Sequence, residues 1–285
     1  WIGGMGVLVF IMAVMPLSDS SSMHLMRAES PGPSVGKLVP KVKTTAMILY
    51  GIYVVFTVIE IIALLIAGMP LFDSMTLTFG TVGTGGFGLL NSSIASYSTA
   101  VQIIITVFMI ICSINFTVYY MFLIKRPKEA LMCEEMRYYL LIVFGSALLI
   151  AFNIRASFAS FGKAFQQAIF QVASVISTTG FATADFNLWP EFSRMILVLL
   201  MFVGACAGST GGGIKVSRIL ILCKAAKKEF QLYLHPNAVK KIKMDDKVIT
   251  HDILRSTNIY ISLYLMIFAA SVLLIAIDNF DLITN

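Results

Sequence analysis

The sequence predicts an all-α polytopic membrane protein, and three observations carry that prediction. Of 285 residues, 58% are apolar and 13% charged, against roughly 45–50% and about 25% in an ordinary soluble domain. The apolar residues gather into stretches with almost no charge inside them, as lipid-facing helices require. Of the 21 basic residues, 18 lie in three connecting segments, 18–43, 125–137 and 215–255, which the positive-inside bias makes cytoplasmic. Segments 69–99, 155–194 and 278–285 hold only Arg155, Lys163 and Arg194 and are expected to face outward. The net charge of +6 is therefore a topology signal. Its Lys and Arg flank hydrophobic helices instead of forming one aromatic-interleaved patch, which argues against nucleic-acid binding.

A bilayer core of about 30 Å takes about 20 apolar residues per helix, and the runs 46–68, 100–124, 138–154 and 256–277 meet or approach that length. Each predicts a span. The run 2–17 reads as a span whose start is cut away, so the chain is expected to be a fragment of a longer protein. Residues 18–43 contain two Ser- or Pro-rich clusters that break helix and mark a linker. The stretch 192–222 is apolar at both ends but holds five glycines between 204 and 213, each costing roughly 1 kcal/mol relative to Ala in a helix. A broken helix is predicted there. The lysine-rich segment 224–252 reads as an inside loop that can lie along an anionic leaflet. Cys112, Cys133, Cys206 and Cys223 lack CxxC spacing and are expected to be plain thiols. His24, His235 and His251 have no metal-ligand spacing.

The outward segments contain an internal repeat. In the first, an amphipathic stretch at 72–81 precedes Val82, Gly83, Thr84, Gly85, Gly86, Phe87 and Gly88. In the second, the stretch 165–176 precedes Ser177, Thr178, Thr179, Gly180, Phe181, Ala182 and Thr183. Aligning Gly86 with Gly180 gives an offset of 94 residues. Each unit thus reads as span, half-membrane helix, glycine turn, span. Irregular backbone at membrane depth is tolerated only where it is buried in protein or lines a watery cavity, and glycine supplies the dihedrals such a turn needs. Carbonyl oxygens can replace the water shell of a cation, and Thr hydroxyls can add acceptors. The half-helix turns its C-terminal end, about −0.5 elementary charge, toward the same place. This describes a cation filter built from dipoles.

Competing motifs fail on context. Gly83, Gly85 and Gly88 satisfy GxGxxG, but no strand precedes them and no crossover helix follows. A phosphate-binding P-loop fails because Lys215 follows Ile214 and precedes Val216. Close helix packing alone would account for one glycine turn, but less readily for two with matched flanks.

These two turns, followed by Gly204, Ala205, Cys206, Ala207, Gly208, Ser209, Thr210, Gly211, Gly212, Gly213, Ile214 and Lys215, resemble the membrane subunit of Trk-type potassium uptake systems in the Trk/Ktr/HKT superfamily. The opening residues 1–6 and the segment 27–32 look similar too, and the string 208–215 is the most specific part. The resemblance implies four consecutive helix, pore-helix, filter and helix units around one pore. On that pattern 1–17 is the last helix of the first unit, 18–43 a cytoplasmic linker, and 44–124 the second unit. Residues 125–137 are then a cytoplasmic loop, 138–223 the third unit, 224–252 a cytoplasmic segment and 253–285 the first helix of the fourth. K⁺ would be held at Thr84, Gly85 and Gly86 and at Thr178, Thr179 and Gly180, and 204–215 would be an intramembrane gate loop. The resemblance further implies a homodimer, a cytosolic nucleotide-binding regulatory subunit of NAD or ATP type, and an inner-membrane location. No bound cofactor and no enzymatic activity are expected, with K⁺ as the transported ion.

Glu60 lies within a span, where an ionisable residue is a candidate for ion attraction or coupling. Asp73 and Asp185 are candidates for concentrating cations at the outer mouth, against the plainer reading of helix caps and turn residues. Lys215 stands where a cation leaving the filter would be repelled or gated, while with Arg218 it also suits an inside anchor. The rival functions are a Na⁺-permeable or H⁺- or Na⁺-coupled transporter of the same family, and a non-conducting helical scaffold. An intramembrane enzyme would need a catalytic pair or metal cluster that Glu60 alone does not supply.

Overall fold

The computed structural model describes residues 1–5, 42–235, 241–245 and 247–278. Most of the expected helix over 1–17 and of the 18–43 linker, with His24, lies outside the described residues, as do 279–285. The chain divides into two units, Trp1–Ser217 and Arg218–Asn285.

In the first unit α1 (Val42–Ile66) is a 25-residue apolar helix, followed after Pro70 by α2 (Leu71–Val82). The Ser98 side chain caps α3 (Thr99–Cys112), which leads through residues 113–115 to α4 (Phe116–Leu123). The short α5 (Pro127–Met132) opens on its proline and precedes α6 (Glu134–Ile154). Ser160 caps α7 (Phe161–Ile176), and α8 (Glu191–Val203) follows Pro190. Helix α9 (Val216–Leu234) starts at the end of this unit. The second unit carries a two-stranded antiparallel hairpin, β1 (Lys243–Met244) with β2 (Lys247–Val248), and α10 (His251–Ile275). Within that unit the Arg218 guanidinium lies 3.8 Å from the Tyr260 ring centroid, a cation–π contact, and Lys224 donates to the Lys243 carbonyl at 2.7 Å.

Among the described residues, three helical stretches are long and apolar enough to cross a membrane: Thr44–Ile66, Glu134–Ser157 and His251–Ile275. The bent pair α3 and α4 makes a fourth if it is one span. The run 100–124, which reads in sequence as one continuous helix, turns by 88° at residues 113–115. The Ser113 hydroxyl donates back to Met109 O at 2.8 Å, a bond that bends helices. Asn115 then restarts the chain, its side chain accepting from Thr117 N at 2.9 Å as the cap of α4. The predicted break in 192–222 is present: α8 stops at Gly204, at φ 69° and ψ −166°, a region open essentially only to glycine.

Next to the bend lies an aromatic core. Tyr53 and Phe116 are fully buried with Cys112 and Val82, and Tyr50, Phe56 and Tyr119 pack around them. Trp1 stacks on Tyr53 at 4.9 Å, takes the Tyr53 hydroxyl on its carbonyl at 2.7 Å, and donates its indole N–H to Thr57 at 2.9 Å. This ties the start of the chain to α1 and to the turn at Gly83, whose Cα lies 2.6 Å from where a Cβ on Gly4 would sit.

Candidate functional site

Helices α2 and α7 end in turns whose main-chain hydrogen bonds repeat. Gly83 N donates to Phe79 O at 3.2 Å and Ser177 N to Ala173 O at 3.0 Å. Thr84 N reaches Thr81 O, and Thr178 N reaches Val175 O, both at 3.0 Å. Gly80 O accepts from Gly85 and Gly86 at 2.8 and 3.2 Å, while Ser174 O accepts from Thr179 and Gly180 at 3.0 and 3.3 Å. Each pair is 94 positions apart. The positive dihedrals repeat as well, at Thr84 and Thr178 (φ 50° and 59°) and at Gly86 and Gly180 (φ 68° and 89°). Sequence resemblance between the units is thereby a shared backbone path.

These bonds use the helix-end carbonyls and leave those of the turns. The main-chain carbonyls of Thr84, Gly85, Gly86, Thr178, Thr179 and Gly180 accept no hydrogen bond from the described residues. The two turns touch at one point: a Cβ on Gly86 would stand 1.8 Å from Thr179 O. At Gly180 it would meet nothing within 4 Å. The turns differ in their aromatic neighbours. Phe181 is 1% exposed and abuts Gly80 of the other unit, whereas its counterpart Phe87 is 80% exposed. Beyond the turns, Ile94 N bonds Ala182 O at 3.0 Å and Ala182 N bonds the Ser93 hydroxyl at 3.1 Å, so the two exits brace each other, while Gln166 of α7 bonds Gln102 of α3 at 3.1 Å.

The glycine-rich loop 204–215 reaches both turns. The Thr84 hydroxyl donates to Thr210 O at 2.9 Å, and the Thr178 hydroxyl accepts from Gly212 N at 2.7 Å. The Thr178 hydroxyl donates to Ser177 O, and the single Thr84 proton is shared between Thr210 O and Gly83 O, which lies 2.8 Å away. The threonine side chains expected to add acceptors to an ion path are thus engaged by the loop and by the helix ends. A Cβ at Gly211 would lie 2.9 Å from Ser177 O, and one at Gly204 would lie 2.5 Å from Gly212 O. Glycine is needed at these points for room.

The loop also completes the bend in α3 and α4. Cys206 N donates to Ser113 O at 3.0 Å, Thr210 donates through its side chain to Cys112 O at 3.1 Å, and Phe116 N donates to Gly208 O at 2.9 Å. Each break therefore supplies the backbone partners that the other lacks, as a low-dielectric setting demands. Within the loop Ser209 bonds Cys206 O at 2.6 Å, and Lys215, at φ 81° and 5% exposed, donates through Nζ to Gly211 O.

Glu60 is fully buried beside Thr81, and neither carboxyl oxygen has a hydrogen-bond partner among the described residues. Asp73 accepts from the Tyr97 hydroxyl at 3.3 Å, and burial, followed by the neighbouring Asp73 carboxylate, pushes the Tyr97 phenol up. Asp185 accepts from Asn187 N at 3.0 Å and so shapes its own turn. Glu60, Asp73 and Asp185 do not converge on the loop. Glu135, absent from the sequence expectations, does: Ala207 N donates to its Oε1 at 2.7 Å and Ser217 N to the same atom at 3.1 Å. Only its place at the head of a span after a basic segment could have drawn notice.

The family model described as a cation transport protein, TrkH, matches residues 1–284. The Trk system potassium uptake protein TrkH of Salmonella typhimurium is 36% identical over 289 residues, covering 99% of this chain and 59% of that protein. The Trk system potassium uptake protein TrkG of Escherichia coli is 31% identical, over 100% of this chain and 60% of its own length. The crystal structure of the potassium transporter TrkH from Vibrio parahaemolyticus superposes with a TM-score of 0.84 at 32% identity, covering 99% of this chain and 58% of that one. The chain thus spans between half and two thirds of the length of these relatives. A family match along residues 1–284 and a shared helical fold at that TM-score lead to one conclusion: the chain is a membrane protein and belongs to the TrkH family of cation transport proteins.

Proposed function

We propose that this chain forms part of the pore of a potassium uptake system in the cytoplasmic membrane. The observation that carries the reading is the pair of turns whose six carbonyls, from Thr84 to Gly86 and from Thr178 to Gly180, accept no bond among the described residues while the main-chain bonds at the helix ends repeat. Such oxygens can stand in for the hydration shell of K⁺. Val82, Gly83, Phe87, Ser177 and Phe181 frame them, and the relatives named for potassium uptake support the choice of ion. Two further units from the longer protein would complete the ring. Inward movement is favoured by a negative-inside potential, at about 2.3 kcal/mol per charge per 100 mV.

Loop 204–215 acts as the gate. Its contacts with both turns, through Thr210 and Gly212, support a closed position in which it stands in the ion path. Asp73 and Asp185 raise the cation concentration at the outer mouth, and Glu60 adds a carboxyl behind α2. The units are organised as helix, pore helix, filter and helix over 44–124 and 138–223, with transport requiring no covalent chemistry. The assembly is a homodimer whose basic inner segments dock a cytosolic nucleotide-binding subunit.

The test is cation flux into proteoliposomes of the full-length parent protein with its regulatory partner, in K⁺ and with Na⁺ competing, for wild type and Gly180→Ser. K⁺-preferring flux that changes in preference or rate in the variant supports the filter. Flux equal to empty liposomes from folded protein returns the scaffold reading, and equal Na⁺ and K⁺ flux returns the Na⁺-permeable one.

A further inference from the structure

Loop 204–215 would be loose if only glycines and peptide contacts held it, yet both its ends converge on one side chain. Glu135, in the first turn of α6, is 2% exposed, and its Oε1 accepts from Ala207 N at 2.7 Å and from Ser217 N at 3.1 Å. Ala207 and Ser217 are themselves 4% and 0% exposed. The donors flank the part of the loop that touches the turns, Thr210 on Thr84 and Gly212 on Thr178. A single carboxylate oxygen therefore closes the base of an arch whose crown meets both turns. Lys215, between the two pins, lies within electrostatic reach of the same carboxylate and donates to Gly211 O. A buried N–H left without its acceptor is costly, and here two of them share one oxygen. The arch therefore depends on the acceptor more than on any one of its glycines.

We propose that Glu135 is the positioning residue that holds the gate loop closed, by pinning both of its ends to the start of α6. The role rests on the gate reading of 204–215 given above, and it acts through the loop without touching the ion. When the loop leaves the turns, the two N–H groups must part from Glu135 or carry it along. Removing the acceptor shifts the population toward the displaced loop and leaves the turn carbonyls as they are.

Full-length protein in proteoliposomes, without its regulatory partner, provides three readouts: basal rubidium flux, the K⁺ to Na⁺ preference, and the rate at which a membrane-permeant thiol reagent modifies Cys206. Cys206 lies in the loop and is fully buried, and every other cysteine is replaced for that measurement. In Glu135→Ala, basal flux and Cys206 modification each rise by about tenfold, a shift of the size expected when two buried N–H groups lose their shared acceptor, with the ion preference unchanged. Glu135→Gln keeps an acceptor oxygen, and the rise stays under about threefold. If Glu135→Ala is not recovered folded, Glu135→Asp, too short to reach both donors, takes its place with the same expectation. Unchanged Cys206 modification in the Ala or Asp variant overturns the proposal, as does loss of the K⁺ preference, which would make Glu135 a support of the filter. Faster modification with unchanged flux keeps the pin and overturns the gate reading.

Discussion

The two helix–turn units share a turn and differ in the helix beyond it. Gly80 to Gly86 and Ser174 to Gly180 make the same bonds 94 residues apart, yet the next helix breaks over three residues, 113–115, in one unit and over twelve, 204–215, in the other. The short break is handled by side chains, Ser113 bonding back and Asn115 capping forward. The long break is handled by glycine and by neighbours. A repeated fold can thus keep one element invariant while a single copy of another lengthens into a glycine-rich loop, and the short break is then recruited to satisfy the long one.

The comparison is broken most severely at the turns themselves. Gly86→Ala puts a Cβ 1.8 Å from Thr179 O, so the two turns must separate; uptake is expected to vanish and stability to fall by about 3 kcal/mol. Gly180→Ala meets no atom within 4 Å and bears only the left-handed backbone cost of about 1 kcal/mol. Thermal unfolding and flux measured side by side check this, and equal losses at the two positions would refute the asymmetry. Next is Gly204→Ala, whose Cβ would fall 2.5 Å from Gly212 O at a glycine-only dihedral, with an expected cost of about 2 kcal/mol. Ser113→Ala, at the short break, removes one back-bond and costs under about 1 kcal/mol.

Smaller effects sharpen the picture. Thr84→Val and Thr178→Val each remove a hydroxyl tie between turn and loop and are expected to raise basal flux several-fold, for about 1 kcal/mol each. A double-mutant cycle should show them coupled, since both act on the same loop. Asn115→Ala loses the cap of α4, for about 1 kcal/mol in a denaturant titration. The smallest change is Tyr97→Phe, which releases Asp73 at a half-buried site and is expected to move stability by under about 0.5 kcal/mol.

Composition and the repeat made much of this legible. Apolar runs located α1, α6 and α10, glycine density located the break after α8, and the offset of 94 paired the turns. The bend at 113–115 was not legible, because Ser113 and Asn115 interrupt the apolar run 100–124 without a Gly or Pro. Their effect depends on hydrogen bonds to residues about ninety positions away, at Cys206, Gly208 and Thr210. Glu135 was hidden for the same reason: its donors lie 72 and 82 residues downstream. The threonines were readable as oxygen carriers, whereas their direction toward the loop followed from a positive φ that the sequence does not announce at a non-glycine residue.

The central claim is that K⁺ is held by the unused carbonyls of the two matched turns. Anomalous diffraction from crystals of the full-length protein grown in rubidium tests it most directly. The account predicts density within about 3 Å of the carbonyl oxygens of Thr84 to Gly86 and Thr178 to Gly180, as for ions in carbonyl filters. Full rubidium flux from protein whose only ordered ion lies away from both turns would contradict it.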